Sequence, residues 1–151
     1  MRIKFSFLFA IIVGLLSACI GGKTKEQLYD VGKLQSTQNI MPIAIVGSGP
    51  AGLMAAVYGA RGGKDTFVFE GNKPGGLLMD TTEVENWPGD VSIQGPKIIE
   101  KLKEQARHHG VQFLEDAIER VDFTQWPFTL FTENGEEIHA LSLIIATGAS
   151  P

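Results

Sequence analysis

Cysteine is almost absent from this chain, since its 151 residues include a single one, Cys19. One thiol cannot form an internal disulfide, a C-x-x-C redox pair or a cysteine-rich zinc site within the chain. An excess of positive charge is absent too, because 13 Lys and Arg stand against 17 Asp and Glu and the formal net charge is -4. Such a chain has no basic face that would follow a phosphate backbone, so we expect no nucleic acid partner.

Long hydrophobic runs are missing as well. The apolar run of residues 5–16 is well short of the roughly 20 residues that an ordinary transmembrane helix needs. It follows a basic start with Arg2 and Lys4 and precedes small residues, which is the order of a secretory signal peptide. We therefore predict that residues 1–19 carry an export signal and that the signal is cleaved.

The end of this segment, Leu16-Ser17-Ala18-Cys19, resembles a bacterial lipobox. In such a motif the cysteine thiol is acylated and becomes the mature N-terminus, so we predict lipidation of Cys19 and an exported, membrane-anchored lipoprotein. An ordinary cleaved signal peptide without lipidation is one alternative, and two others stay open. In one, Cys19 ends an uncleaved signal anchor; in the other, translation starts at Met41 and the protein is cytoplasmic.

Composition predicts a tether and one folded domain after the signal. Residues 20–40 mix Gly, Lys, Gln, Ser and Thr with few large apolar residues, which favours a solvated tether. Residues 41–151 are predicted to form the folded domain, and the whole chain of 151 residues has the length of a single domain. The hydrophobic content of 44% and the charged content of 20% are typical of a globular protein.

The first part of the domain has the pattern of a βαβ unit. A short apolar run at residues 43–46 predicts a strand buried on both faces, and residues 50–61 predict a helix that ends at a pair of glycines. Residues 66–69 predict a second strand parallel to the first. Residues 71–92 are rich in Gly, Pro, Asn and Thr and predict a long functional loop.

The second part combines a helix with several strands. Residues 96–109 place apolar side chains on one stripe, which predicts a surface helix. Short strands are then predicted at residues 112–114, 118–123, 128–132 and 137–140, followed by a last buried strand at residues 143–146. The fold class predicted is α/β, a Rossmann-like βαβ parallel sheet with a small antiparallel β-meander.

A G-x-G-x-x-G motif lies between the first predicted strand and the first predicted helix, which is where a dinucleotide fingerprint has to lie. Its members are Gly47, Ser48, Gly49, Pro50, Ala51 and Gly52. The first glycine permits a tight turn, the second lets a pyrophosphate approach the backbone, and the third lets helix and strand pack closely. Glu70 ends the second strand, where a carboxylate can accept hydrogen bonds from ribose hydroxyls. The alternative is a glycine-rich turn that serves chain reversal only.

The long loop at residues 71–92 indicates which dinucleotide the motif binds. Gly75 and Gly76, followed by the run Thr-Thr-Glu-Val-Glu-Asn-Trp-Pro-Gly at residues 81–89, closely resemble the flavin-contacting loop of bacterial low-molecular-weight thioredoxin reductases. The resemblance extends over residues 43–150 and includes the Ala-Thr-Gly-Ala run at residues 146–149. It implies an incomplete FAD-binding domain, corresponding to the N-terminal portion of that family.

The resemblance also implies a set of cofactor contacts. For the ADP half of FAD, it implies that Ser48 to Ala51 lie at the pyrophosphate, Glu70 near the adenosine ribose and the backbone of Ile118 at the adenine. For the flavin half, it implies that Gly75 and Gly76 lie beside the flavin chain and Asn86 against the isoalloxazine. Thr147 and Gly148 are also implied to lie at the cofactor. Leu77, which is also implied to lie at the cofactor, departs from the family, which usually has Gln there. Because leucine cannot hydrogen-bond, we expect an effect on flavin affinity or tuning.

By this resemblance the chain is the FAD-binding part of an NADPH-dependent thioredoxin-disulfide reductase, with FAD as cofactor, a thioredoxin-like protein as partner and a homodimer as its assembly. The C-x-x-C and the NADPH-binding domain of the family are not among these 151 residues. We therefore expect the chain alone to be inactive. The alternatives are a non-catalytic, lipid-tethered FAD or nucleotide-binding module and a truncated gene product.

Overall fold

The computed structural model describes residues 40–149. The predicted signal peptide with Cys19, and all of the predicted tether except its last residue, lie outside the described residues. Within residues 40–149, no helix is both long enough and apolar enough to cross a membrane.

Two α-helices and six strands make up this part of the chain. In order they are β1 (Ile40–Val46), α1 (Pro50–Arg61), β2 (Thr66–Phe69), a 3₁₀ helix (Gly76–Asp80), α2 (Gly95–His108), β3 (Gln112–Leu114), β4 (Ile118–Asp122), β5 (Phe128–Thr132) and β6 (Glu137–Ile145). The predicted positions of both helices and of β2, β3 and β5 are thereby confirmed to within a residue or two at each end.

The six strands form one sheet in the order β3-β2-β1-β6-β5-β4. The first four in that order pair in parallel, and β6, β5 and β4 pair antiparallel. This arrangement confirms the predicted α/β class, with a Rossmann-like parallel part and a small antiparallel meander. Val46 pairs with both Phe69 and Ile145, so the carboxyl ends of three parallel strands meet at one edge of the sheet.

The core lies on both faces of the sheet because successive side chains of a strand point to opposite sides. On β1, Ile45 packs with Ala56 and Val57 of α1. Its neighbour Ala44 belongs to a different cluster, which includes Leu130 of the meander. The helices therefore cover one face of β1, and side chains of the meander strands cluster on the other.

The prediction of two strands near the end of the domain is wrong. The segments predicted at residues 137–140 and 143–146 form one strand, β6, because only Leu141 and Ser142 separate them, without Gly, Pro, Asn or Asp. The prediction that the last segment is buried is also wrong, since Ile145 is 62% exposed. The long predicted loop is not featureless either: it contains the 3₁₀ helix and an antiparallel bridge between Val84 and Ile93.

Candidate nucleotide and flavin site

The glycine motif at residues 47–52 lies in the turn between β1 and α1. Gly47 has a φ of +107°, and a Cβ added there would lie 2.3 Å from the carbonyl oxygen of Ala146. A Cβ added to Gly52 would lie 2.0 Å from the carbonyl oxygen of Gly47. Both positions need glycine for the protein's own packing, which brings the start of α1 against β1 and the end of β6.

Gly49 differs from these two because the packing of residues 40–149 does not require a glycine there. Its φ is -67°, which any residue adopts, and an added Cβ would have no heavy atom within 4 Å beyond its chain neighbours. Its carbonyl oxygen accepts the first hydrogen bond of α1, from the N–H of Leu53 at 2.9 Å. No side chain caps this helix end and its first turn has no acidic residue. The first turn therefore presents unpaired N–H groups, including that of Ala51, beside open space.

Glu70 follows the last residue of β2, at the same edge of the sheet as the glycine turn. Its N–H donates a hydrogen bond to the carbonyl oxygen of Leu114 at 2.9 Å. Its side chain is 7% exposed, and Oε1 is in ion-pair contact with the ammonium of Lys103 on α2. Oε1 is buried without a hydrogen-bond donor among the described residues.

The second glycine pair packs against the first turn. Gly75 and Gly76 both have positive φ, +87° and +66°. The N–H of Gly75 donates a buried hydrogen bond to the hydroxyl oxygen of Ser48 at 2.9 Å. A Cβ added to Gly76 would lie 3.5 Å from the Cα of Gly49. The two glycine turns, distant in sequence, thus form one surface.

The remaining loop residues of the predicted site are exposed. Leu77 lies in the 3₁₀ helix and is 54% exposed. Asn86 lines an open depression of about 420 Å³ together with Glu83 and Glu85. Leu77 and Asn86 are therefore both accessible to a ligand.

Ile118 begins β4 and packs in the cluster on the meander side of the sheet. It lies two positions after Asp116, whose carbonyl oxygen accepts a hydrogen bond from the N–H of Gly71 at 3.1 Å. Partial desolvation raises the pKa of Asp116, but hydrogen bonds from Thr132, Ala117 and Asn134 outweigh it and hold the pKa below its ordinary value. The start of β4 is thereby held beside the residue that follows Glu70.

Thr147 and Gly148 follow β6 and are exposed. The N–H of Ala146 donates to the carbonyl oxygen of Val46 at 2.8 Å, which keeps this segment at the end of β1. The Cα of Thr147 lies 3.3 Å from a Cβ built on Gly47. The structure therefore brings together the motif residues, the second glycine pair and Thr147 at one edge of the sheet. Among residues 40–149, no group of three or more His, Cys, Asp or Glu side chains is placed to hold a metal ion.

Two contacts of the site were not predicted from the sequence. They are the ion pair of Lys103 with Glu70 and the hydrogen bond of Ser48 with Gly75. Lys103 lies four residues after Ile99 and three before Ala106, so it borders the buried stripe of α2. That spacing could have indicated a lysine drawn toward the sheet. The bond between Ser48 and Gly75 has no comparable signal, because it depends on how the loop folds back.

A family model described as pyridine nucleotide-disulphide oxidoreductase matches residues 41–151. The chain belongs to this family. Among its curated relatives, the thioredoxin reductase of Rickettsia prowazekii is 47% identical over 108 residues, which are 71% of this chain and 35% of the relative. The thioredoxin reductase of Peptoclostridium litorale is 46% identical over 115 residues, 76% of this chain and 36% of the relative.

Solved structures of the family agree. A thioredoxin reductase from Giardia duodenalis has a TM-score of 0.70 and 38% identity, over 74% of this chain and 36% of that one. The thioredoxin reductase from Streptococcus pyogenes has a TM-score of 0.71 and 32% identity, over 76% and 37%. The chain spans about a third of the length of the relatives it matches. It corresponds to the FAD-binding portion of a thioredoxin-reductase-like member of the family.

Proposed function

We propose that residues 40–149 hold FAD as the flavin-binding part of an NADPH-dependent disulfide reductase of the thioredoxin reductase type. The observation that carries the proposal is the open space at Gly49. A glycine that the protein's own packing does not need leaves room for a group that is not protein. In a G-x-G-x-x-G turn, that group is a pyrophosphate.

The residues around Gly49 fit the two halves of an ADP group. The unpaired N–H groups and the dipole at the start of α1 favour a negatively charged phosphate, and no acidic side chain of the first turn opposes it. Glu70 supplies a carboxylate that can accept hydrogen bonds from ribose hydroxyls. Gly76, which packs near Gly49, allows the rest of the cofactor to continue along the loop toward Asn86.

FAD, when bound, supplies the electron transfer between a nicotinamide and a dithiol, and the part of these residues is to bind and orient it. The dithiol of such a reaction has to come from other residues, because Cys19 is the one cysteine of the sequence. NADPH as reductant, a thioredoxin-like protein as substrate and a homodimeric assembly complete the proposal. The thioredoxin-like substrate follows from the names of relatives that are about twice as long as this chain. NADPH and the homodimer follow from the family resemblance.

A non-catalytic nucleotide-binding module is the second candidate. The observation that favours it is Leu77, which is 54% exposed beside the second glycine pair. An exposed leucine cannot hydrogen-bond to a flavin. A protein that retains only the ADP-binding half of the site would tolerate this residue.

The test is a titration of the whole chain with FAD, followed by flavin fluorescence, for the wild type and for Gly49→Ala. We expect the wild type to bind FAD. We expect Gly49→Ala to fold equally well but to bind about tenfold or more weakly, which corresponds to about 1.4 kcal/mol of lost binding free energy. Gly62→Ala, at the other end of α1, is the matched control, and its affinity should equal that of the wild type.

Each outcome separates the candidates. Absence of FAD binding together with binding of ADP would overturn the flavoprotein and support the nucleotide-binding module. Absence of binding to both would overturn both. Equal FAD affinity for the wild type and Gly49→Ala would show that the cofactor does not approach Gly49, and the proposed site would be wrong.

We also propose that the protein is exported and anchored through acylated Cys19, because of the lipobox-like residues that precede it. The intact mass of the native protein tests this, with Cys19→Ser as the control. Acyl mass on a mature chain that begins at Cys19 supports the anchor. A mature chain that begins at Met41 or Pro42 supports the cytoplasmic alternative instead.

A further inference from the structure

Glu70 and Lys103 form a pair of opposite charges that is almost removed from solvent. Their side chains are 7% and 16% exposed, and the Lys103 ammonium is in contact with Oε1 of Glu70. The two residues belong to different layers, since Glu70 ends β2 and Lys103 lies on α2. The Lys103 ammonium also lies 5.8 Å from the ring centroid of Phe113 on β3. The pair therefore occupies a defined place between the helix and the sheet.

Stability alone does not account for this pair. Removing two charges from water costs about as much as their attraction returns, and well-packed apolar side chains in their place are often as stable or more so. The carboxylate is also only half used. Oε1 is in contact with Lys103 and is buried without a hydrogen-bond donor among residues 40–149, and the ion pair is formed through this oxygen rather than through Oε2. A carboxylate oxygen with two free lone pairs can accept two hydrogen bonds from a ligand.

We propose that Lys103 is a positioning residue for ribose recognition, which holds Glu70 through Oε1 so that Oε2 is presented to the two hydroxyls of an adenosine ribose. This inference rests on the proposed function and extends it to a residue on α2. The contact with the ammonium prevents rotation of the carboxylate. Lys103 therefore increases the affinity only for ligands that carry ribose hydroxyls.

The test compares ADP with 2′,3′-dideoxy-ADP, which lacks both hydroxyls, by calorimetric titration of the whole chain. In the wild type we expect ADP to bind about tenfold or more tightly than the dideoxy compound, the range for hydrogen bonds to a charged group. In Lys103→Met the ratio of the affinity for ADP to that for dideoxy-ADP should fall close to one, because ADP binding weakens and dideoxy-ADP binding does not. In a Glu70→Gln background, Lys103→Met should have no further effect.

Lys97→Met is the matched control, since Lys97 lies on the same helix and is exposed. Its preference for ADP should equal that of the wild type. Lys103→Arg keeps the charge, but its planar guanidinium is larger than an ammonium, so it should fold even if Lys103→Met does not. Its preference for ADP should lie between those of the wild type and of Lys103→Met.

The results distinguish this inference from the proposed function. A wild type that binds neither ADP nor FAD would overturn both. A wild type that binds ADP, with Lys103 variants that retain the full preference, would overturn the role of Lys103 and leave the binding site intact. Equal weakening of ADP and dideoxy-ADP in Lys103→Met would also overturn it, because the lysine would then be structural.

Discussion

The hydroxyl oxygen of Ser48 accepts a hydrogen bond of 2.9 Å from the N–H of Gly75, and the bond is buried. It joins the turn after β1 to the loop before the 3₁₀ helix. A Cβ added to Gly75 would meet the side chains of Met79 and Ile99 at 2.7 to 2.9 Å. The second glycine turn is thus held from both sides, by Ser48 and by packing on α2.

Ser48→Ala removes the acceptor and leaves the N–H of Gly75 buried without a partner. Such a loss costs about 1–3 kcal/mol, so we expect the free energy of unfolding to fall by that amount in urea titrations monitored by circular dichroism. Ser142→Ala changes an exposed serine of β6 and serves as the control. Its free energy of unfolding should fall by less than about 0.5 kcal/mol. Equal stabilities for the two variants would mean that the bond to Gly75 contributes nothing.

Gly52→Ala should destabilise the domain through the clash with the carbonyl oxygen of Gly47. Overpacking of this kind costs about 1–3 kcal/mol, and because the obstacle is backbone we expect the upper end of the range. Urea unfolding measures it. Gly49→Ala introduces the same methyl group into open space and should cost less than about 1 kcal/mol. If Gly52→Ala were as stable as Gly49→Ala, α1 and β1 would not approach as closely as described.

Leu77→Gln should leave stability within about 0.5 kcal/mol of the wild type, because the side chain is 54% exposed. By restoring the family's amide, it should strengthen FAD binding roughly two- to tenfold, the value of one additional hydrogen bond. Flavin fluorescence titration provides the measurement. Val91→Gln makes a similar polar change at a residue that is 94% exposed in the same loop, and its FAD affinity should not change. An unchanged affinity for Leu77→Gln would place Leu77 away from the flavin.

Asp122 should make stability depend on pH. The hydroxyl and the N–H of Thr124 donate to its carboxylate at 2.7 Å and 2.8 Å, and these bonds, with a smaller effect of Arg120, hold the pKa of Asp122 below its ordinary value of 3.8. A carboxyl whose pKa is lowered by folding stabilises the fold above the unfolded pKa and loses that effect as pH falls through the folded one.

We therefore expect Asp122→Ala to lower the urea midpoint at neutral pH, and the difference from the wild type to shrink as the pH falls below 3.8. Glu119→Ala alters an exposed carboxylate of the same strand and serves as the control for loss of charge alone. A difference for Asp122→Ala that stayed constant with pH would contradict the role of its charge.

Local signals in the sequence were enough for most of the elements. The bounds of α1 were predicted at residues 50–61 and observed at Pro50–Arg61, because proline favours the first helical position and glycine the residue after the last. The same holds for β2 at Thr66–Phe69, which a short apolar run indicates. These features depend on residues that are adjacent in the chain.

Features that depend on distant residues were predicted less well. The division of β6 into two strands was wrong because its partners are not encoded locally: β5 pairs with residues 137–140 only, whereas β1 pairs along residues 139–145. Phe128 pairs with Ala140 antiparallel, whereas Ile45 pairs with Ile144 in parallel. One strand serves both ladders, which a search for turns between short strands cannot reveal.

In the candidate site too, features that depend on local sequence were predicted and those that depend on distant residues were not. The glycine motif and Glu70 could be placed at one sheet edge from the order of strands and helices alone. The contacts that hold this site could not, because Lys103 reaches Glu70 from another layer and Gly75 reaches Ser48 from a folded loop. Their existence depends on the angle of α2 to the sheet and on the path of the 3₁₀ helix.

The central position of β1 has a consequence during synthesis. Val46 pairs with Phe69 on one side and with Ile145 on the other, so the ribosome makes one neighbour soon after β1 and the other much later. At a typical rate of about 5–20 residues per second, the interval between them is on the order of ten seconds. Throughout that time the middle strand of the future sheet is an open edge on the nascent chain, available to other chains on the same messenger RNA.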